Sequence, residues 1–214
     1  MAGRKNPQTP YLLVVMAASY GGVQALREVL GDLPADFPAP IAVVQHRSTE
    51  PPNMLARVLG RHTPLTVKTA EEGEVMRPGT VYLAPPELHL QVQTGGVCHL
   101  SNGRRIHHLR SSANPLFDSA ADVFDGRLIA VVLTGTAHDA TDGVQSVKAR
   151  GGMVIAQDEA SSAAFGMPGS AIATGCVDQV LPLREIGPAL CRLVETEAQG
   201  APTLESTRPP GAAR

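Results

Sequence analysis

The sequence predicts an α/β fold: three layers, doubly wound about a mainly parallel sheet, with an antiparallel β-hairpin inserted. Three observations carry this reading. Runs such as "YLLVVMAA", "PIAVVQH" and "RLIAVVLTG" are apolar throughout and of strand length, as expected for strands covered on both faces. Between them lie segments with helical periodicity, the mark of crossover connections. "LHLQVQTGGVCHL" instead alternates apolar and polar residues about a Gly-Gly pair, which reads as a hairpin with one wet face.

The elements follow in order. "YLLVVMAA" is a strand, and "GGVQALREVLGDLP" is a helix with apolar residues at Val23, Leu26, Val29 and Leu30, stopped by Gly and Pro. "PIAVVQH" is a second strand, and "PPNMLARVLGRH" an amphipathic helix whose prolines suit a first turn. "LTVKTA" and "RPGTVYLAPP" are strands that precede the hairpin. "ANPLFDSAADVFDG" (helix), "RLIAVVLTG" (strand), "ATDGVQSVKARGG" (helix), "MVIAQD" (strand), "PGSAIATG" (short helix), "VDQVLPL" (strand) and "REIGPALCRLVETE" (helix) complete the body. That body, residues 11–197, reads as one domain. Residues 1–10 and 198–214 are rich in Pro, Gly, Ala and polar residues and read as flexible tails.

Composition narrows the function. The chain has 214 residues, 43% hydrophobic and 18% charged, with a net charge of −2, so no basic surplus invites nucleic acid or an anionic membrane. No apolar run approaches the roughly 18 residues of a membrane span, and "MAGRKNPQTP" has no apolar segment behind its basic residues. A cytoplasmic location without membrane insertion is expected. Cys98, Cys176 and Cys191 form no CxxC pair and read as buried thiols rather than as disulfides or zinc ligands. A metal site from His46, His138 and the His107-His108 pair lacks close i, i+4 ligand spacing, and no metal or cofactor is expected.

In a doubly wound sheet, reactive groups collect outside the C-terminal ends of the strands. The first strand ends at Ser19, the second at Gln45-His46, and "LIAVVLTG" runs into "TAHDATDG", with His138, Asp139 and Asp142. A hydroxyl, an imidazole and a carboxylate thus share one rim, the set that acyl transfer needs: an attacking oxygen, a base, and a group that orients the base. Backbone N–H groups in "SYGG" and "TGTAHD" are candidates for holding an oxyanion. Each residue also has a plainer reading, with Ser19 capping a helix, His46 held for structure and Asp139 as an N-cap.

The segments "AASYGGVQALREVL", "VVQH", "AEEGEVMRPGTVYLAPPELHL", "VVLTGTAHDATDGVQSVKARGGMVIAQDEASSAAFGMP" and "AIATGCVDQVLPL" resemble, collinearly, the catalytic domain of the CheB-type chemotaxis methylesterases. The resemblance implies hydrolysis of glutamate γ-methyl esters on the helical cytoplasmic parts of chemoreceptors, and in some members deamidation of glutamines. It also implies Ser19 as nucleophile, His46 as base and Asp139 as its orienting carboxylate, with the N–H groups of Tyr20 and Thr136 as the anion site. Phe165 and Met167, after another strand end, are candidate cleft residues, with burial in the core as their alternative. Departures from the family pattern are Tyr20 in place of a small residue, Arg47 in place of Met, and "TAHDA" for "MGxDG", which sets His138 where it can compete for the carboxylate of Asp139. The family's usual receiver domain has no counterpart here, so a free-standing esterase domain with an unknown regulatory partner is expected. Two other functions fit less of the sequence: a catalytically degenerate chemosensory binding module, and a phosphate or nucleotide binder. For the last, "AASYGG" lacks both the G-x-G-x-x-G spacing and a P-loop lysine.

Overall fold

The computed structural model describes residues 11–46, 53–104, 111–136 and 138–200. The elements are β1 (Leu13–Ala18), α1 (Gly22–Gly31), β2 (Ile41–Gln45), α2 (Met54–Gly60), β3 (Thr66–Thr69), β4 (Thr80–Leu83), β5 (His89–Gln93), β6 (Val97–Ser101), α3 (Ala113–Phe124), β7 (Leu128–Val132), α4 (Thr141–Ala149), β8 (Met153–Gln157), α5 (Gly166–Ala173), β9 (Gln179–Leu181) and α6 (Leu183–Gly200). Seven strands form one sheet in the order β3-β4-β2-β1-β7-β8-β9, and β5-β6 form a separate two-stranded sheet. Every pairing in the large sheet is parallel, while the hairpin is antiparallel, with Val92 opposite Cys98.

Alternation along β1 builds the three layers. Val14, Met16 and Ala18 face a core shared with α1, α2 and α6, while Leu13, Val15 and Ala17 face one shared with α3, α4, α5 and the hairpin. All six residues of β1 are fully buried, which is why the strand carries no polar side chain. The chain winds from β1 to β2, goes on to β3 at the edge, comes back to place β4 between β3 and β2, and after the hairpin and α3 returns to β7 on the other side of β1. Crossovers diverge there, so the ends of β2, β1 and β7 flank the crevice where ligands bind in such sheets.

Several expectations need adjustment. Helix α6 runs to Gly200, beyond the predicted limit at 197. Helix α2 begins at Met54 behind Asn53, so its first turn holds no proline. Of the three cysteines only Cys98 is buried, where desolvation pushes its thiol up to about 12; Cys176 and Cys191 are half-buried. Arg47, the His107-His108 pair and the tails at 1–10 and 201–214 lie outside the described residues. No helix among the described residues is long and apolar enough to cross a membrane.

Candidate active site

The turn after β1 is built from main-chain bonds. The Ser19 N–H donates to Thr134 O at 2.9 Å, and Ser19 O accepts from Gly22 N–H at 2.9 Å. Helix α1 is not capped by Ser19: its N-cap is Gly21, at φ +77° and without a side-chain cap bond. Glycine is needed there because of that φ, and because a Cβ would stand 2.5 Å from the Cβ of Ala163. Among the described residues the Ser19 hydroxyl makes no hydrogen bond, and the residue is half-buried at the rim. The capping alternative therefore fails.

Gln45 ties this turn to the next strand end. Its Nε2 donates to Ser19 O and to His46 O, both at 2.8 Å, so one amide fixes the main chain at two of the candidate residues. Two carbonyl acceptors settle the orientation of the amide. The His46 N–H donates in turn to Ala18 O at 2.9 Å, continuing the β1–β2 ladder to the rim.

Asp139 is held from three sides. Its Oδ2 lies 2.7 Å from His46 Nε2 and accepts the Ala113 N–H at 2.6 Å, while its Oδ1 accepts the Ser112 hydroxyl at 2.6 Å. The side chains of His46 and Asp139 are only 7% and 1% exposed. Burial alone would raise the Asp139 carboxyl, but the bonds from His46, Ala113 and Ser112 outweigh it and hold the group below the usual carboxylate range. Asp139 is not the cap of its own helix. The N-cap of α4 is Ala140, in the left-handed region at φ 74°, and that conformation turns Asp139 away toward the first turn of α3. The N-terminus of α3 thus binds the carboxylate of another segment. Asn114 locks the two helices together by accepting the Gly143 N–H at 2.9 Å, and a Cβ at Gly143 would stand 2.6 Å from the Cβ of Phe117.

The end of β7 closes the site. The Thr134 hydroxyl donates toward the carbonyls of Tyr20 and Ala164 and accepts the Ala164 N–H, and its own N–H goes to the Gln157 side chain at 2.9 Å. Gly135 is compelled by crowding: a Cβ there would overlap the Met167 sulfur and stand 2.8 Å from the Cβ of Ser19. Among the described residues the N–H groups of Tyr20 and Thr136 donate no hydrogen bond, whereas that of Gly135 is used by Ala164 O at 2.9 Å.

The sequence-predicted residues do not all share this rim. Met167 is fully buried against Gly135 in the core beneath α5, so it belongs to the packing and not to an open cleft. Phe165 is half-buried at the start of α5. His138 does not reach Asp139: its Nδ1 lies 2.5 Å from the Ser170 hydroxyl, and the three donors described above surround the carboxylate. Asp142 is exposed in the first turn of α4, the position favoured by the helix dipole. No group of three His, Cys, Asp or Glu side chains among the described residues could hold a metal ion.

A model of the CheB methylesterase family matches residues 14–190 of the chain, taking in β1 through most of α6. The chain belongs to the CheB methylesterase family. It is 46% identical over 179 residues to a protein-glutamate methylesterase/protein-glutamine glutaminase of a group 3 operon from Rhizobium meliloti, covering 84% of this chain and 51% of that protein. To the protein-glutamate methylesterase FrzG of Myxococcus xanthus it is 44% identical, covering 91% of this chain and 58% of FrzG. The chain spans about half the length of the curated relatives it matches. The crystal structure of the CheB methylesterase catalytic domain of Thermotoga maritima superposes with a TM-score of 0.83 at 41% identity, covering 86% of this chain and 99% of that one. The CheB fold therefore accounts for the whole sheet, and the hydroxyl, imidazole and carboxylate stand at its switch point.

Proposed function

We propose that the chain is a serine hydrolase that cleaves glutamate γ-methyl esters on the cytoplasmic helices of chemoreceptors, and that it also deamidates glutamines there. The observation that carries this reading is the buried His46–Asp139 pair beside a serine whose main chain is fixed and whose hydroxyl is free among the described residues. His46 commits Nε2 to Asp139, which leaves Nδ1 to take the proton as Ser19 Oγ attacks the ester carbonyl. The N–H groups of Tyr20 and Thr136 receive the developing oxyanion. Methanol leaves with the proton returned by His46, and water then hydrolyses the acyl-enzyme through the same base. Family membership and the names of the relatives support the reaction class.

The test is methanol release from a methylated receptor fragment. Ser19→Ala is expected to lose on the order of 10³-fold or more, because only oxyanion and binding contributions remain. Retention of most activity in Ser19→Ala, or failure of a fluorophosphonate to label Ser19, would favour the binding-module alternative.

A further inference from the structure

Helix α3 is capped by Ser112, and the four N–H positions that a helix leaves open at its start are all accounted for. The Ser112 N–H donates to Nδ1 of His89 at 3.3 Å, the Ala113 N–H to Asp139 Oδ2 and the Asn114 N–H to the Ser112 hydroxyl, while Pro115 has no N–H to place. The first two of these acceptors are a histidine of the hairpin and the carboxylate that binds His46. His89 opens β5 in the same register as Gln91, half-buried, and Gln93, exposed, yet it is itself only 3% exposed. Because Nδ1 accepts from Ser112, the ring proton stays on Nε2, which donates to Arg104 O at 3.0 Å. Both ring nitrogens are committed, and no step of the proposed hydrolysis uses them.

We propose that His89 is a positioning residue of the esterase site, acting on Asp139 through the main chain of Ser112. The proposal rests on the esterase reading above and extends that site to the hairpin. Asp139 takes two of its three bonds from the start of α3, the Ser112 hydroxyl and the Ala113 N–H. Those donors belong to adjacent residues, so an anchor on the Ser112 N–H fixes where both point. The approach to the cap is held from the same direction: Ser111, in the left-handed region at φ 69°, sets its hydroxyl 2.7 and 2.8 Å from the carbonyls of Pro85 and Leu88. Without the Nδ1 acceptor the Ser112 N–H is buried and unpaired. The acceptor already at this helix start is the Asp139 carboxylate, which His46 needs. A second bond joins the hairpin to α3, from the Val92 N–H to the Ser119 hydroxyl at 2.9 Å, and it involves none of the partners of Asp139.

His89→Gln and His89→Asn separate the two ring nitrogens. The glutamine amide reaches the Nε2 position and keeps a donor for Arg104 O, with no acceptor at Nδ1; the asparagine oxygen stands where Nδ1 stood. In methanol release from the methylated receptor fragment, His89→Gln is expected to lose tenfold or more in kcat with KM unchanged, and His89→Asn to stay within threefold of wild type. The downfield proton resonance of the His46–Asp139 hydrogen bond is expected to shift in His89→Gln and to persist in His89→Asn. Ser119→Ala, which removes the other bond between hairpin and α3, is expected to lower the melting temperature and leave kcat unchanged. Equal kcat losses in His89→Asn and His89→Gln, or kcat within twofold of wild type in a folded His89→Gln protein, would overturn the proposal. So would ¹⁵N NMR of the wild-type chain that found the His89 proton on Nδ1, a measurement that needs no variant to fold. Absence of methanol release by the wild-type chain would refute the esterase reading instead, since the tautomer and the resonance are read without turnover.

Discussion

Replacing Asp139 by asparagine tests the electrostatics of the pair while keeping its shape. In a triad whose amide substitution imposes the wrong imidazole tautomer, turnover falls about 10⁴-fold. The geometry here predicts a smaller loss. Both N–H donors, His46 Nε2 and Ala113, converge on Oδ2, and the group at Oδ1 is a hydroxyl. An asparagine with its oxygen at the Oδ2 position keeps both N–H bonds, and its NH₂ faces Ser112, whose hydroxyl can turn from donor to acceptor. The tautomer survives and what is lost is the charge. Opposite charges about 4 Å apart attract by about 4 kcal/mol at an effective dielectric constant of 20. The neutral hydrogen bond that remains contributes about 1 kcal/mol. The difference of about 3 kcal/mol corresponds to roughly 10²-fold in turnover. Methanol release from the methylated fragment gives the rate, and ¹⁵N NMR of the imidazole gives the tautomer. Adding Ser112→Ala to Asp139→Asn removes the acceptor and should deepen the loss. A loss of 10⁴-fold or more in a folded Asp139→Asn protein, with the proton moved to Nδ1, would refute this account.

Two further outcomes follow from the same contacts. Because the folded state holds the Asp139 carboxyl below its unfolded value of about 3.9, its contribution to stability is present above that pH and lost as pH falls through the folded value; urea midpoints of wild type and Asp139→Asn should therefore converge below about pH 4, and a constant gap down to pH 2 would contradict it. Gln45→Leu strips two hydrogen bonds from the carbonyls of Ser19 and His46 and should cost about 2 kcal/mol in urea unfolding, with a fall in kcat and little change in KM, whereas a stability loss with kcat intact would make Gln45 purely structural.

Much of this was legible in the chain. Continuous apolar runs mark the central strands because both faces are covered, and their polar ends mark the rim where Ser19, His46 and Asp139 stand. The hairpin showed itself by a different period. Ser112 was not legible as a partner of Asp139, since "SSANP" reads locally as a helix start, which it is: the Ser112 side chain accepts from the Asn114 N–H. Its second bond depends on α3 folding across the sheet to meet a loop 27 residues onward. Gln45 left a fainter signal, an amide at the end of a strand otherwise wholly apolar and buried. Met167 was ambiguous because an apolar side chain after a strand end suits a cleft wall and a core equally; the bare Cα of Gly135 decided for the core by leaving room for its sulfur.

The placement of bonds around Ser19 also separates chemistry from folding. Its N–H binds Thr134, and its carbonyl accepts from Gly22 and from Gln45, so the turn is secured through atoms that every amino acid possesses. The hydroxyl contributes to none of these bonds. On the esterase reading proposed above, the side chain is thus free to answer to the reaction alone, while its main chain is held by Gln45, Thr134 and Gly22. Asp139 is the opposite case, because its carboxylate holds the N-terminus of α3 as well as His46. Ser19→Ala should therefore leave the thermal midpoint nearly unchanged while turnover falls on the order of 10³-fold or more. Asp139→Ala should lower both, since it leaves the buried Ser112 hydroxyl and the Ala113 N–H without their acceptor, at about 1–3 kcal/mol for each.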